Sequence, residues 1–151
     1  MNIPYNSFLG SGWSFPPAFD DESGQVEMVS DLADIEQSLN ILLSTSLGER
    51  VMVPDYGCNL DEYMFEALNN SLIGLIKHHV ENAILFYEPR IIAEKVDVTA
   101  ADSLDLIEGR FTITVEYRIP ETNSRYNYVY DYYLNEAARP PSGNVNKIGT
   151  V

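Results

Sequence analysis

The chain has 151 residues, 45% of them hydrophobic, and a formal net charge of −14 at pH 7. This length favours one domain, which buries about 68–70% of the surface that the unfolded chain exposes. Nucleic acid and anionic membranes are excluded as expected partners, because both bind clusters of lysine and arginine and the chain has only nine such residues. No apolar run approaches the roughly 20 residues that cross a bilayer, so we expect a soluble protein without an export signal.

Residues 1–22 are predicted to form an extended N-terminal arm. In this segment small flexible residues alternate with large aromatics, and two prolines follow. Trp13, Phe15 and Phe19 are therefore expected to anchor the arm on an apolar surface, either of the chain's own core or of a partner. Docking on the chain's own core is the preferred interpretation, because a tryptophan near a terminus usually fixes that terminus to the domain.

Two helices are predicted after the arm, following a short strand at residues 25–29. The first begins at Ser30 or Asp31 and runs to about Leu43, with leucine and isoleucine spaced three and four apart. A turn at residues 54–57 separates it from a longer helix that runs from about Ser71, a candidate cap, to Tyr87. The single cysteine, Cys58, is interpreted as a small apolar filler near that turn.

Three strands are predicted beyond Pro89, where the apolar period changes from 3.6 to 2. They span about residues 92–98, 111–119 and 126–134, and the connections suit antiparallel neighbours. Glu94 falls on the apolar face of the first strand, so it must lie at an edge or find a partner. The expected fold is α+β: two main helices packed on one face of a small antiparallel β-meander, in a domain of residues 23–136. Residues 137–151 are predicted to be a flexible tail.

Four tyrosines share one face of the last predicted strand: Tyr126, Tyr128, Tyr130 and Tyr132. Such a row forms either a wall of the core or an aromatic contact face, since the hydroxyl group makes tyrosine awkward as pure core and frequent at interfaces. The sequence favours neither alternative.

No catalytic constellation is identifiable in the sequence. His78 and His79 are adjacent in a helix and point about 100° apart, so they cannot clamp one metal ion in the way an i, i+4 pair can. A glycosidase needs only two carboxylates, but among 23 acidic residues nothing singles out a pair. We therefore expect no enzymatic activity, no metal and no cofactor.

Four ordered motifs between about residues 10 and 135 resemble one family. They are the Gly-x-Gly-Trp-x-Phe-Pro-Pro-x-Phe arm, the first helix with its Asp34-Ile35-Glu36-Gln37-Ser38-Leu39 stretch, the Gly48-Glu49-Arg50 turn with Pro54 and Gly57, and Glu88-Pro89-Arg90-Ile91. Together they are similar to the baseplate wedge component of contractile tails. This family is often labelled lysozyme-like and occurs in contractile phages, type VI secretion systems and extracellular injection particles.

The resemblance implies a structural role. Family members dock on baseplate wedge proteins and on the inner tube and hub, and they offer a sheet on which sheath subunits start to polymerise. The implied mechanism is β-strand augmentation in a symmetric assembly containing several copies, built in the bacterial cytoplasm. Candidate partner-binding residues are Trp13, Phe15, Arg50, Glu88, Pro89, Arg90, Tyr128, Tyr130 and Tyr132. The alternative, suggested by the label and the acidic composition, is a peptidoglycan hydrolase with paired carboxylates.

Glu88 and Arg90 need an explanation beyond the helix break that Pro89 causes. In an extended path they lie two apart on one side, with Pro89 and Ile91 on the other. Each charge can be satisfied inside the domain or by a partner. If a partner surface is the correct interpretation, Arg90→Glu leaves a folded protein that fails to dock.

Overall fold

A computed structural model of the chain describes residues 9–21, 24–25, 28–63, 66, 68–100, 105, 110–132 and 144–147. The elements in chain order are β1 (Ser11–Trp13), β2 (Met28–Ser30), α1 (Asp31–Ser44), a 3-10 helix (Leu60–Tyr63), α2 (Asn70–Tyr87), β3 (Ile92–Thr99), β4 (Phe111–Ile119), β5 (Ser124–Tyr132) and β6 (Asn144–Lys147). Two helices beside an antiparallel sheet confirm the predicted α+β fold. Residues 1–8 and 22 of the predicted arm, 26–27 of the first predicted strand and 133–134 of the last lie outside the described residues.

The two helices contribute the apolar stripes that the spacing predicts. The buried apolar residues of α1 and α2 all pack in the core: Ile35, Leu39, Leu42, Leu43, Leu72, Ile76, Val80, Ala83 and Ile84. Asn69, not Ser71, caps α2, because its side-chain oxygen accepts a hydrogen bond from the Leu72 amide at 2.9 Å. Neither α1 nor α2, the helices of the described chain, has the length and apolar character needed to cross a membrane.

Gly74 lies on the exposed face of α2, where an added Cβ meets nothing within 4 Å. Glycine in a helix interior costs about 0.5–1 kcal/mol relative to alanine. Gly74→Ala is therefore expected to raise the free energy of unfolding by that amount, measured by urea denaturation. A loss of stability would show that the outer face of α2 is more crowded than this structure has it.

The sheet has four antiparallel strands in the order β3-β4-β5-β6. Its centre is β4, in which alternate residues are buried as predicted: Phe111, Ile113, Val115, Tyr117 and Ile119. The fourth strand was not predicted. It lies in the segment expected to be a flexible tail, and it pairs with β5 from Tyr126 to Val129. The sequence gives no signal for it, because a four-residue polar strand has no measurable apolar period.

A bulge in β3 resolves the problem posed by Glu94. The register with β4 shifts between Ala93 and Lys95, so Ala93, Val96 and Val98 face the core while Glu94 is exposed. Its carboxylate pairs with Arg118 at 3.1 Å and Arg125 at 3.2 Å. Glu94 thus lies on an edge strand and has partners as well.

The row of tyrosines on β5 is a wall of the core. Tyr128, Tyr130 and Tyr132 are buried, and Tyr126 packs partly against the same cluster. The Tyr132 hydroxyl donates to Asp61 at 2.7 Å. Of the two alternatives, this burial supports the wall of the core, and contact of Tyr128, Tyr130 and Tyr132 with a partner stays a prediction that the packing does not favour.

The N-terminal arm is docked through its backbone but not through its aromatic side chains. β1 pairs antiparallel with β2, and the Phe15 amide donates to Gln37 of α1 at 3.2 Å. Trp13, Phe15 and Phe19 nevertheless remain 65%, 59% and 63% exposed. The preferred interpretation, in which they are buried in the chain's own core, is therefore wrong.

Candidate functional site

The Glu88-Pro89-Arg90 motif forms the centre of an ion-pair cluster, here called the Arg90 cluster: Asp34, Glu88, Arg90 and the carbonyl of Leu9. Arg90 donates through Nε and Nη2 to the two oxygens of Glu88, at 2.6 and 2.8 Å. Its Nη1 donates to Asp34 at 2.5 Å and to the Leu9 carbonyl at 3.2 Å. One guanidinium thus joins the end of α2 to the start of α1 and to the arm.

The backbone at this motif is a turn and not the predicted extended path. The amide of Ile91 donates to the Glu88 carbonyl at 3.4 Å. Pro89 points to solvent while Glu88 and Ile91 are buried, so Pro89 and Ile91 do not share a side. Because Glu88 is only 2% exposed, both charges of the motif are satisfied inside the domain.

The carboxylates of the cluster hold Arg90 in its charged form. The hydrogen bonding of Arg90 to the Glu88 carboxylate is the largest cause raising the pKa of Arg90 above its ordinary value; burial lowers that pKa, and Asp34 raises it further. Glu88 and Asp34 therefore act as hydrogen-bond acceptors for a fixed cation.

The glycines of the arm allow it to pass close to this cluster. A Cβ at position 12 would lie 2.5 Å from Oδ1 of Asp34, whose other oxygen is bound by Arg90. At position 10 a Cβ would lie 3.7 Å from Arg90 Nη1. Close contact with the cluster thus leaves no room for a Cβ at position 12, whereas position 10 favours glycine because of its φ of +95.

Arg50 lies on a pair of tyrosines beside the same region. Its guanidinium carbon is 4.3 Å from the centre of the Tyr56 ring, and that ring meets Tyr87 edge-on at 5.0 Å. Burial is the main cause raising the pKa of Tyr56, with Arg50 lowering it and Glu88 raising it. Sequence reasoning missed Tyr56, although its place in the Pro54–Gly57 turn could have drawn attention to it.

Burial also affects two further polar groups, Glu36 of α1 and Tyr117 of β4. Burial raises the pKa of Glu36, and burial followed by the charge of Glu36 raises that of Tyr117. The Tyr117 hydroxyl is buried and makes no hydrogen bond to the described residues.

Glu36→Gln is expected to stabilise the domain at pH 7. A raised pKa in the folded state means that Glu36 favours folding below its unfolded pKa and loses that contribution as pH rises through the folded value. A neutral glutamine avoids the cost of the buried charge. The free energy of unfolding should therefore rise by less than about 1 kcal/mol at pH 7, because the group is only half-buried. This difference from the parent should vanish as pH falls towards 4.

Urea denaturation at several pH values measures this difference. Glu81→Gln, on the exposed face of α2, is the matched control and should change little. A gain that persists unchanged at acid pH would contradict the assignment to charge burial.

The remaining candidate groups offer no centre for chemistry. His78 accepts from or donates to Asn82 at 2.9 Å, and the His79 ring lies 6.0 Å from that of Tyr63. Burial raises the pKa of the Cys58 thiol to about 12, which makes it a poor nucleophile. Over the described ranges no three histidine, cysteine or carboxylate side chains are placed to hold a metal ion.

Of the predicted site residues, the structure brings Glu88, Arg90 and Arg50 into one region, with the arm that carries Trp13 and Phe15 docked against it. Pro89 is exposed at the turn. Tyr128, Tyr130 and Tyr132 lie in the core and do not join this surface. Asp34, which binds Arg90, appears in the sequence analysis only as part of the α1 motif and not as a candidate site residue.

Comparisons with known proteins place these features in a family. Residues 29–124 match the family described as baseplate wedge protein gp25. The baseplate wedge protein gp25 of Enterobacteria phage T4 is 31% identical over 84 residues, which cover 54% of this chain and 64% of that protein. Baseplate protein W of Escherichia phage P2 is 38% identical over 87 residues, covering 58% of this chain and 71% of that protein. The match to the T4 protein thus spans less than two thirds of its length.

Solved structures show the same fold. A tail-lysozyme candidate from Geobacter sulfurreducens superimposes with a TM-score of 0.62 and 41% identity, covering 74% of this chain and all of that one. A chain of the anti-feeding prophage baseplate superimposes with a TM-score of 0.61 and 26% identity, covering 87% of this chain and 94% of that one. A chain of the contracted pyocin R2 baseplate superimposes with a TM-score of 0.53 and 27% identity, covering 68% of this chain and 97% of that one. The resemblance inferred from the motifs is confirmed, and the chain belongs to the gp25 family of baseplate wedge proteins of contractile tail systems.

Proposed function

We propose that this chain is a non-catalytic structural subunit of a baseplate, which docks on wedge and hub proteins and starts sheath polymerisation by β-strand augmentation. The observation that carries the proposal is the exposure of three large aromatics on an otherwise fixed arm. Burial against a partner would remove apolar surface of Trp13, Phe15 and Phe19 from water and so stabilise a complex. Tryptophan in particular is enriched at the centres of protein interfaces.

The Arg90 cluster supports docking by fixing where the arm lies. Arg90 binds the Leu9 carbonyl just before β1, and the Phe15 amide is bound by Gln37. An arm held at both points presents its aromatics without the entropy cost of ordering a free terminus. On this proposal the Glu88-Pro89-Arg90 motif positions the aromatic side chains that bind the partner, and Glu88 itself does not contact the partner.

The sheet supports strand augmentation at its β5–β6 end. β5 already pairs at Tyr126–Val129 with the short antiparallel strand β6. The opposite edge, β3, carries a bulge and the charged residues Glu94, Lys95 and Asp97, which are features that discourage strand addition. A sheath strand would therefore add at the end of the sheet that β6 forms.

The structural role is also favoured over peptidoglycan hydrolysis. Asp34 and Glu88 are brought together here, but both bind one arginine and thus neither is free to protonate a leaving group. Several copies would act in one particle, as the six-fold symmetrised baseplate of the anti-feeding prophage suggests. Assembly in the bacterial cytoplasm, before the particle is used, belongs to the same proposal.

The docking test uses co-expression with the wedge, hub and sheath proteins of the same gene cluster. The chain should co-purify with wedge proteins, and a Trp13→Ser, Phe15→Ser double variant should lose that binding while unfolding in urea like the parent. Phe86→Ser, at an equally exposed phenylalanine on α2, is the matched control. Clearing of purified peptidoglycan that depends on Asp34 or Glu88 would overturn the non-catalytic assignment.

Augmentation is tested separately by hydrogen exchange with purified sheath subunits. Amides of β6 and of the outer edge of β5 should gain protection, and those of α1 and α2 should not. Protection confined to the arm would leave docking intact and reject augmentation.

A further inference from the structure

The loop from Ser46 to Gly57, here called the Val51 loop, exposes two large apolar side chains almost completely. Val51 is 94% and Met52 is 91% exposed, and Leu47 and Val53 on either side are each 45% exposed. No other pair of adjacent large apolar residues among those described is as exposed. This surface is separate in the chain from the arm and from the edges of the sheet.

Hydrogen bonds on both sides of the apex give this loop a fixed shape. The Gly48 amide donates to the Pro54 carbonyl at 2.7 Å and closes the loop across Val51 and Met52. The Ser46 amide donates to the Glu49 carboxylate at 3.0 Å, and the Tyr56 amide to the Val53 carbonyl at 3.1 Å. A loop held in this way presents its apex with little ordering left to do on binding.

The base of the loop is anchored to the core. The Cys58 amide donates to the Thr45 carbonyl at 2.9 Å, and the Ser46 hydroxyl hydrogen-bonds the Asp61 carboxylate. On one flank the Arg50 guanidinium lies over the Tyr56 ring, so its charge is directed towards the domain. Exposed apolar side chains on a rigid and anchored loop fit insertion into a preformed recess.

The charged residues of the loop and its base indicate what kind of recess on a partner would accept the apex. The loop itself contains two carboxylates and one arginine, Glu49, Asp55 and Arg50, and a third carboxylate, Asp61, is hydrogen-bonded at its base. With a chain charge of −14, this border is complementary to lysine and arginine side chains and is repelled by anionic lipid. We propose that Val51 and Met52 insert into an apolar pocket with a basic rim on a neighbouring protein subunit. This contact is additional to the proposed docking of the arm and does not depend on it.

The test places a photo-crosslinking amino acid at position 52 of the full chain, produced together with its own gene cluster. The crosslinked peptide is then mapped by mass spectrometry. We expect it to come from another protein and to line an apolar recess bordered by lysine or arginine. The same label at position 86, an exposed apolar site on α2, is the matched control and should not mark that recess.

Binding to the purified partner identified in this way gives the quantitative readout. Losing two buried apolar side chains should weaken binding about 100-fold in the Val51→Asn, Met52→Gln double variant. Because both residues are almost fully exposed, the variant should unfold at the parent's urea midpoint. Raised ionic strength should weaken the parent's binding, since the rim is charged.

Three results would overturn the inference: a crosslink only to lipid, a crosslink only to a second copy of the chain, or binding that the double variant leaves unchanged. If wedge proteins still bind through the arm while position 52 marks no protein, the loop inference fails alone. If position 52 marks such a pocket on a protein outside any baseplate, the proposed function fails and the loop inference stands.

Discussion

Arg90→Glu is expected to lower the free energy of unfolding by about 3 kcal/mol. Glu88 is 2% exposed, and its two carboxylate oxygens each accept a hydrogen bond from Arg90. The substitution removes these bonds and places a third carboxylate beside Glu88 and Asp34. Breaking a buried pair from one side is costly because the remaining charge is left in a poorly solvated position.

Urea denaturation of the isolated chain measures this loss. Arg125→Glu is the matched control, because Arg125 pairs with Glu94 on the sheet surface with its side chain 62% exposed, and such pairs contribute at most about 1 kcal/mol. Arg90→Lys should fall between the parent and Arg90→Glu, since an ammonium keeps the charge but not the two-pronged geometry. A Glu88→Gln, Arg90→Met pair should cost less than the sum of the two single changes.

The sequence alone led to a different expectation for Arg90→Glu, namely a folded protein that fails to dock. The structure favours destabilisation because both charges are paired within the domain. A variant that is as stable as the parent and yet does not assemble would restore the partner-facing interpretation. A destabilised variant would also fail to assemble, since losing Arg90 frees the arm at Leu9, so assembly assays need the unfolding data beside them.

Local periodicity accounts for most of what the sequence predicted correctly. The stripe of α1 and the alternation of β4 are set by residues within a few positions of one another, so a buried face is visible in the printed sequence. The end of α2 follows from Pro89, which disfavours helical geometry at the residue before it. These features decide the α+β fold.

Long-range pairing accounts for what the sequence could not show. Arg90 binds Asp34, 56 positions away, and 23 acidic residues were possible partners. The choice between core and surface for Tyr128 and Trp13 depends on which elements cover them, and not on their own spacing. Strand β6 is defined by its pairing with β5, since its four residues carry no pattern of their own.

The family assignment and the internal pairing of Glu88 are compatible. A motif can be needed for docking because it sets the geometry of a neighbouring surface, even when its own charges are inside. The Arg90 cluster joins the arm, α1 and the end of α2, and Arg50 on Tyr56 lies beside it. Three of the four sequence motifs, namely the arm, the α1 motif and Glu88-Pro89-Arg90-Ile91, therefore meet at the Arg90 cluster.

Gly57→Ala is expected to destabilise the domain by about 3 kcal/mol, from a positive φ and a steric clash. Gly57 has φ +125, and an added Cβ would lie 2.3 Å from the Thr45 carbonyl oxygen. That oxygen cannot retreat freely, because it accepts the Cys58 amide at 2.9 Å. Relief of the clash therefore breaks the anchor at the base of the Val51 loop.

Urea denaturation measures the loss for Gly57→Ala, with Gly48→Ala as the control in the same loop. Gly48 has φ +81 but nothing within 4 Å of its added Cβ, so it carries only the conformational cost of about 1 kcal/mol. Both substitutions carry a positive-φ penalty, and only Gly57→Ala adds a clash, so the gap between them reports the contact with Thr45 together with the difference in φ. Equal losses would show that Thr45 yields without cost, and the loop would then be less firmly anchored than its hydrogen bonds indicate.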